Sequence, residues 1–197
     1  YYDATKKEEA LLNACALMEL IEGRCTDEIG YLEAFDRAFS PVENDKLSEN
    51  CFIAEKTLNT LLHVFDSYTV LYRVSKNQLA GERLRFMMDV IAEKIYNPQK
   101  RRQEVFFDRE MNSIIDLHSY GHDIETAWLV DRGLEVLGDA GMEAKLSPIT
   151  RALTAKIYER AYVDHSLLNE CERGVDNTSR IWWVQAEAVI GFYIGWQ

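Results

Sequence analysis

SYGHDIETAW, residues Ser119 to Trp128, is a place where a loop turns into a helix, and it sets one ionisable ring, His122, three residues before a carboxylate, Glu125. Side chains at i and i+3 share a helical face. A helix starting near Ser119 or Gly121 puts both in its first turns, where unpaired N–H groups and the dipole favour developing negative charge. Spacing alone leaves two readings open: a proton-transfer site, or a structural histidine held by Glu125.

Two further stretches stand at matching intervals. His63 closes KTLNTLLH and Trp183 lies in RIWWVQAEA, 59 residues before and 61 residues after His122. Each follows a long loop near the start of a helical run, a recurrence that suggests stacked helical hairpins. Asn59 and His63 share a face at i, i+4, as do Trp183 and Glu187. An aromatic plate beside a carboxylate suits a neutral polyol, whose C–H groups stack while its hydroxyls donate. The competing readings are exposed polar pairs for Asn59 and His63 and core anchors for Trp182 and Trp183.

Outward from these stretches, helical periodicity covers about 4–23, opened by the capping box Thr5-x-x-Glu8, then 53–74 and 78–96. It resumes from about 120 to the cap at Gly138, and again over about 141–160. Pro148 leaves that helix two possible starts, a late one capped by Ser147 or an earlier one with an interior proline. The last helix begins near Ile181, with Thr178 or Ser179 as cap. Residues 26–50 read as a long loop with one hairpin, Glu104 to Leu117 as a short β-hairpin, and Asp164 to Asn177 as a polar loop. The fold class is all-α with minor strands, in a single domain.

At 197 residues with 47% hydrophobic content the chain can bury a real core. Its 22 basic against 33 acidic residues give a net charge of −11, which argues against nucleic acid or an anionic membrane as partner. Cys15, Cys25, Cys51 and Cys171 lack C-x-x-C spacing and disulfide density, so a reducing cytoplasm is expected. No membrane-length apolar run or signal-peptide pattern occurs. A start at Tyr1 without Met and an uncapped apolar run up to Gln197 suggest a fragment of a longer protein. His118, His122 and Glu125 are a metal-like cluster, but His118 precedes the helix, H-E-x-x-H is missing and no cysteine is nearby, so no metal is expected. Phosphate loops and serine nucleophile elbows are absent.

KTLNTLLH, SYGHDIETAWL and RIWWVQAEAV together resemble the cellobiose 2-epimerases of the N-acylglucosamine 2-epimerase superfamily. The resemblance extends through EAFDR at Glu33 to Arg37 and LSEN at Leu47 to Asn50. It implies a partial (α/α)6 barrel, the middle half of a protein about twice this length, with a sugar in the central cleft. It further implies inversion at C2 of the reducing-end glucose of a β-1,4-linked disaccharide, through a cis-enediolate, a proton-transfer route that requires no redox cofactor or nucleotide. Matching residues give His122 as one of two catalytic histidines, Asn59 as a hydrogen-bonding partner of the sugar oxygens, and His63 as a substrate contact. Glu125 would orient His122 or bind a hydroxyl, Trp183 would stack on a sugar ring, and Glu187 would bind hydroxyls. Trp182 and Trp128 are further candidates for the pocket. The second histidine and a substrate-binding arginine fall outside the chain, so the chain alone is expected to be inactive. The alternatives are N-acylglucosamine epimerisation or aldose–ketose isomerisation, glycoside hydrolysis by Glu125 and Glu187, and a sugar-binding module without catalysis.

Overall fold

The computed structural model describes residues 1–43 and 53–196; Cys51 and the LSEN stretch lie outside the described residues. Among the described residues, seven α-helices are joined by short strands: α1 (Tyr2–Thr5), α2 (Glu8–Arg24), β1 (Lys56–Thr57), α3 (Leu58–Ser75), α4 (Gln78–Val90), β2 (Tyr96–Asn97), β3 (Arg102–Gln103), β4 (Phe106–Phe107), β5 (Leu117–Ser119), α5 (Tyr120–Leu137), α6 (Ala140–Ala161), β6 (Tyr162–Val163), β7 (Ser166–Leu167), β8 (Glu170–Glu172), β9 (Val175–Asn177) and α7 (Trp182–Trp196). One π-turn, Ile91–Ile95, continues α4. None of the described helices is long and apolar enough to cross a membrane.

Helices α3, α5 and α7 lie side by side, with α5 in the middle, while α4 packs on α3 and α6 on α5. Such paired helices, each returning behind its predecessor, make the fold class a partial (α/α)6 barrel. The core follows the apolar stripes of those helices. Leu58, Leu62 and Phe65 of α3 and Val130 of α5 are fully buried in one cluster with Leu84, Met87 and Met88 of α4. A second cluster joins Tyr120 and Ile124 of α5 to Ile157 of α6 and Val184 of α7. The α5–α7 approach is close because Gly191 stands against Ile124, where an added methyl would collide with both the side chain and the carbonyl.

The short strands anchor the helix starts. β1 pairs with β4, Thr57 opposite Phe106, and leads into α3. β5 pairs with β8, Ser119 opposite Glu170, and leads into α5. Each helix is then capped by the hydroxyl at the end of its strand: Thr57 Oγ1 accepts from Thr60 N at 3.1 Å, and Ser119 Oγ accepts from His122 N at 3.5 Å.

Several sequence expectations are corrected. Helix α2 starts at Glu8 with Lys7 before it and no side-chain cap, because Lys6 turns left-handed (φ 54°) and ends α1 at Thr5 instead. Thr5 and Glu8 therefore form no capping box. The helix expected from 53 starts at Leu58, after β1. Phe106 and Phe107 meet Ser113 and Ile114 only through one bridge and one hydrogen bond, and their main partner is β1. Helix α6 takes the early start: Asp139 caps it, accepting from Gly141 N and Met142 N, and Pro148 is interior. The stretch Asp164 to Asn177, read as a loop, is built of β7, β8 and β9. Neither Thr178 nor Ser179 adjoins the first turn of α7, which begins at Trp182.

Candidate active site

A cleft of about 440 Å³ opens at the N-terminal ends of α3, α5 and α7. It is lined by Thr57, Asn59, His63, Val105, Phe106, His122, Glu125, Trp183 and Glu187. All three helices place their contributions in the first two turns. Asn59 and His63 are the second and sixth residues of α3, His122 and Glu125 the third and sixth of α5, and Trp183 and Glu187 the second and sixth of α7. Positions four or three apart face one way on a helix, so three parallel pairs converge on one space.

His122 sits in the middle, half-buried. Its Nδ1 lies 2.7 Å from Ser119 Oγ and its Nε2 lies 3.3 Å from Asn59 Oδ1. The ring also meets Trp183, with centroids 5.1 Å apart and planes tilted by 58°. Trp183 comes so near because Gly121 has no side chain: a Cβ there would overlap the six-membered ring of the indole. Desolvation, aided by His63, pushes the His122 imidazolium down to about 4. The ring is therefore neutral near pH 7 and has a lone pair to offer.

Glu125 is 8% exposed and makes no hydrogen bond to His122; the ring's partners are Ser119 and Asn59. Burial, together with the charges of Glu187 and Asp66, pushes the Glu125 carboxyl from 4.5 up to about 7. Near neutrality the group exchanges its proton readily, so it can donate to or accept from a hydroxyl. The same shift has a stability consequence. Below pH 4.5 Glu125 is protonated folded or unfolded, whereas between 4.5 and 7 only the unfolded chain ionises, which draws the equilibrium toward unfolding. Glu125→Gln in the full-length protein should therefore be no more stable than the parent at pH 4 and about 3 kcal/mol more stable at pH 8. Chemical denaturation at the two pH values measures the difference, and a pH-independent difference would sink the assignment.

The two remaining tryptophan candidates lie elsewhere. Trp182, the first residue of α7, is 80% exposed and does not line the cleft. Trp128 lies one turn past Glu125 and also does not line it; its Nε1 donates to Glu187 Oε2 at 2.7 Å and so fixes that carboxylate toward the space. His118, the third member of the metal-like cluster, points away and is buried against Asp123, Nε2 to Oδ2 2.7 Å. Asp123 Oδ1 in turn accepts from Gln103 N at 3.0 Å, which ties α5 to β3. Among the described residues no group of three or more His, Cys, Asp or Glu side chains is arranged to hold a metal ion.

Three lining residues carried no signal of a role in sequence: Thr57, Val105 and Phe106. Ser119 was read only as a possible helix start; that its hydroxyl meets the ring three residues on is a finding of the structure. Val105 and Phe106 reach the cleft only through the β1–β4 pairing. Glu33 enters in the same indirect way, accepting a short hydrogen bond from Thr57 Oγ1.

No family model matches the chain. It is 43% identical to a cellobiose 2-epimerase of Eubacterium cellulosolvens over 98% of its length, and 42% identical to one of Ruminococcus albus over 100%. Among solved structures, a sugar epimerase from a ruminal bacterium superposes on the whole chain with a TM-score of 0.97 at 41% identity, covering 51% of that protein. The cellobiose 2-epimerase of Bacillus thermoamylovorans does so with a TM-score of 0.94 at 40% identity, again covering 51% of its length. The chain spans about half the length of the curated relatives it matches, 51% of each of these two.

Proposed function

From its homology to cellobiose 2-epimerases along its whole length, we propose that this chain forms one half of the active site of a sugar 2-epimerase acting on a β-1,4-linked disaccharide such as cellobiose. The observation that carries the reading is the His122 ring, with Nε2 3.3 Å from Asn59 Oδ1, in a cleft that Trp183 and the carboxylates of Glu125 and Glu187 also line. Once the reducing-end ring has opened, Nε2 takes the proton from C2, and the electron pair passes to the C1 carbonyl to give the enediolate. Asn59, beside the ring, is a donor for that developing charge, and the positive end of the α5 dipole adds to it; one such donor contributes about 3–4 kcal/mol to a transition state. Trp183 stacks on a sugar ring, Glu125 and Glu187 bind hydroxyls, and His63 assists at the ring oxygen. Inversion takes a second acid/base group on the opposite face of C2. On the epimerase reading, that second group would belong to the half of the relatives that this chain does not span.

The route needs no electron transfer and no nucleotide, only the removal of a proton from one face of C2 and the return of a proton to the other. Soluble, cytoplasmic operation and a single domain completed by further chain are part of the same proposal. Incubating the full-length protein with cellobiose in deuterium oxide should place deuterium at C2 and yield the mannose epimer. N-acetylglucosamine labelled in its place would favour the N-acylglucosamine reading. Free glucose would favour hydrolysis, and no change in either sugar would refute epimerisation.

A further inference from the structure

We propose that Ser119 is the positioning residue that makes His122 a base, its hydroxyl oxygen accepting the Nδ1 proton so that the Nε2 lone pair faces the cleft. The turnover part of this inference rests on the epimerase reading; the state of the ring does not.

Ser119 is 6% exposed and held from both sides. It is the last residue of β5, paired with Glu170, and the next amide, Tyr120 N, donates to Asn169 O at 3.3 Å. With its backbone so held, its Oγ lies 2.7 Å from Nδ1. A neutral imidazole carries one proton, so the ring has two ways to satisfy these neighbours. In the first, Nε2–H donates to Asn59 Oδ1 and the Ser119 hydroxyl donates to Nδ1. Both nitrogens are then content, and the lone pair points away from the cleft. In the second, Nδ1–H donates to Ser119 Oγ and Nε2 is bare.

Only the second arrangement can take a proton from carbon. When it does, the C2–H bond breaks, the proton goes to Nε2, and the electron pair goes to the sugar. The imidazolium keeps donating Nδ1–H to Oγ. A hydroxyl can turn to serve either arrangement, so serine keeps the second one populated in the resting protein and lets it prevail when a sugar takes over Asn59. An apolar residue at 119 would leave Nδ1 without a partner and drive the proton to Nε2, against Asn59.

Helix capping does not account for this contact. At the equivalent place before α3, Thr57 Oγ1 also accepts from the amide three residues on, yet its hydroxyl donates to Glu33 and touches no ring. The Ser119 amide contact, at 3.5 Å, is the longer of its two bonds, and the ring contact, at 2.7 Å, is the shorter.

The test uses the full-length protein with Ser119→Gly and Ser119→Thr. Glycine caps a helix almost as well as serine, within a few tenths of a kcal/mol, so it removes the hydroxyl and leaves the helix start. Expected for Ser119→Gly is a fall in kcat for C2 exchange of about 10- to 100-fold, the scale of a misplaced general base, with KM within about twofold. Ser119→Thr should restore kcat to within a few-fold. Nitrogen NMR of labelled histidine should find Nδ1–H populated at His122 in the parent and in Ser119→Thr, and the Nε2–H form alone in Ser119→Gly. Unchanged kcat in Ser119→Gly, a loss confined to KM, failure of threonine to restore turnover, or an unchanged ring state would each overturn the proposal. If the parent itself exchanges nothing at C2, the epimerase reading fails, and the ring spectra still decide the role of Ser119.

Discussion

Replacing His122 by glutamine in the full-length protein should lower kcat for C2 exchange by about 10²- to 10⁴-fold and leave KM within a few-fold. That is the range a positioned general base contributes. Glutamine can keep the contact with Asn59, since its amide reaches about as far as Nε2, and it fills much of the space beside Trp183. What it lacks is a lone pair basic enough to hold a proton. Deuterium incorporation at C2, measured at saturating sugar, is the direct readout. A variant that keeps more than a tenth of parental exchange would show that another group takes the proton.

Gly121→Ala should raise KM about tenfold and destabilise the protein, although alanine is the better helix former. The two effects oppose each other. Alanine in place of glycine gains about 0.5–1 kcal/mol inside a helix. Against it stands the overlap of a Cβ with the ring of Trp183 and, at 2.9 Å, with a methyl of Val184. Forced repacking of this kind costs about 1–3 kcal/mol, and Val184 is fully buried and cannot move aside. The cheaper relief is to push Trp183 outward, away from His122, and so loosen the sugar platform. Thermal unfolding and KM read the two consequences separately. A Gly121→Ala protein that is more stable than the parent, with unchanged KM, would show that the close approach does not exist.

What was legible in the sequence divides along a physical line. The helices that carry the cleft follow from local signals: apolar periodicity for α3, α4 and α5, Ser119 before α5, and Gly138, left-handed at φ 65°, after it. The pairing of Asn59 with His63 and of Trp183 with Glu187 needed only helical spacing, and the structure brings all four to the same cleft as His122 and Glu125. Neighbouring residues on a helix are about 100° apart, which is why Trp183 faces inward while Trp182 meets solvent. The short strands were harder. Two residues such as Lys56 and Thr57 have no readable pattern, and they become β1 only because Phe106 and Phe107 arrive from fifty residues away. Trp128 was a pocket candidate through the family resemblance, and in the structure its indole N–H donates to Glu187. No local signal reveals a contact between side chains on α5 and α7.

The three helix starts that meet in one cleft belong to a chain with a net charge of −11. At long range such a molecule turns anions away, since its field is set by the sum of its charges. Close to the helix starts, the positive ends of three helix dipoles oppose that field. A ligand that arrives already charged, such as a sugar phosphate, meets the outer field and the Glu125 and Glu187 walls. On the proposed epimerase reading, a neutral disaccharide would pass both and acquire its negative charge only after it is seated, so that ligands would be sorted by the moment at which their charge appears.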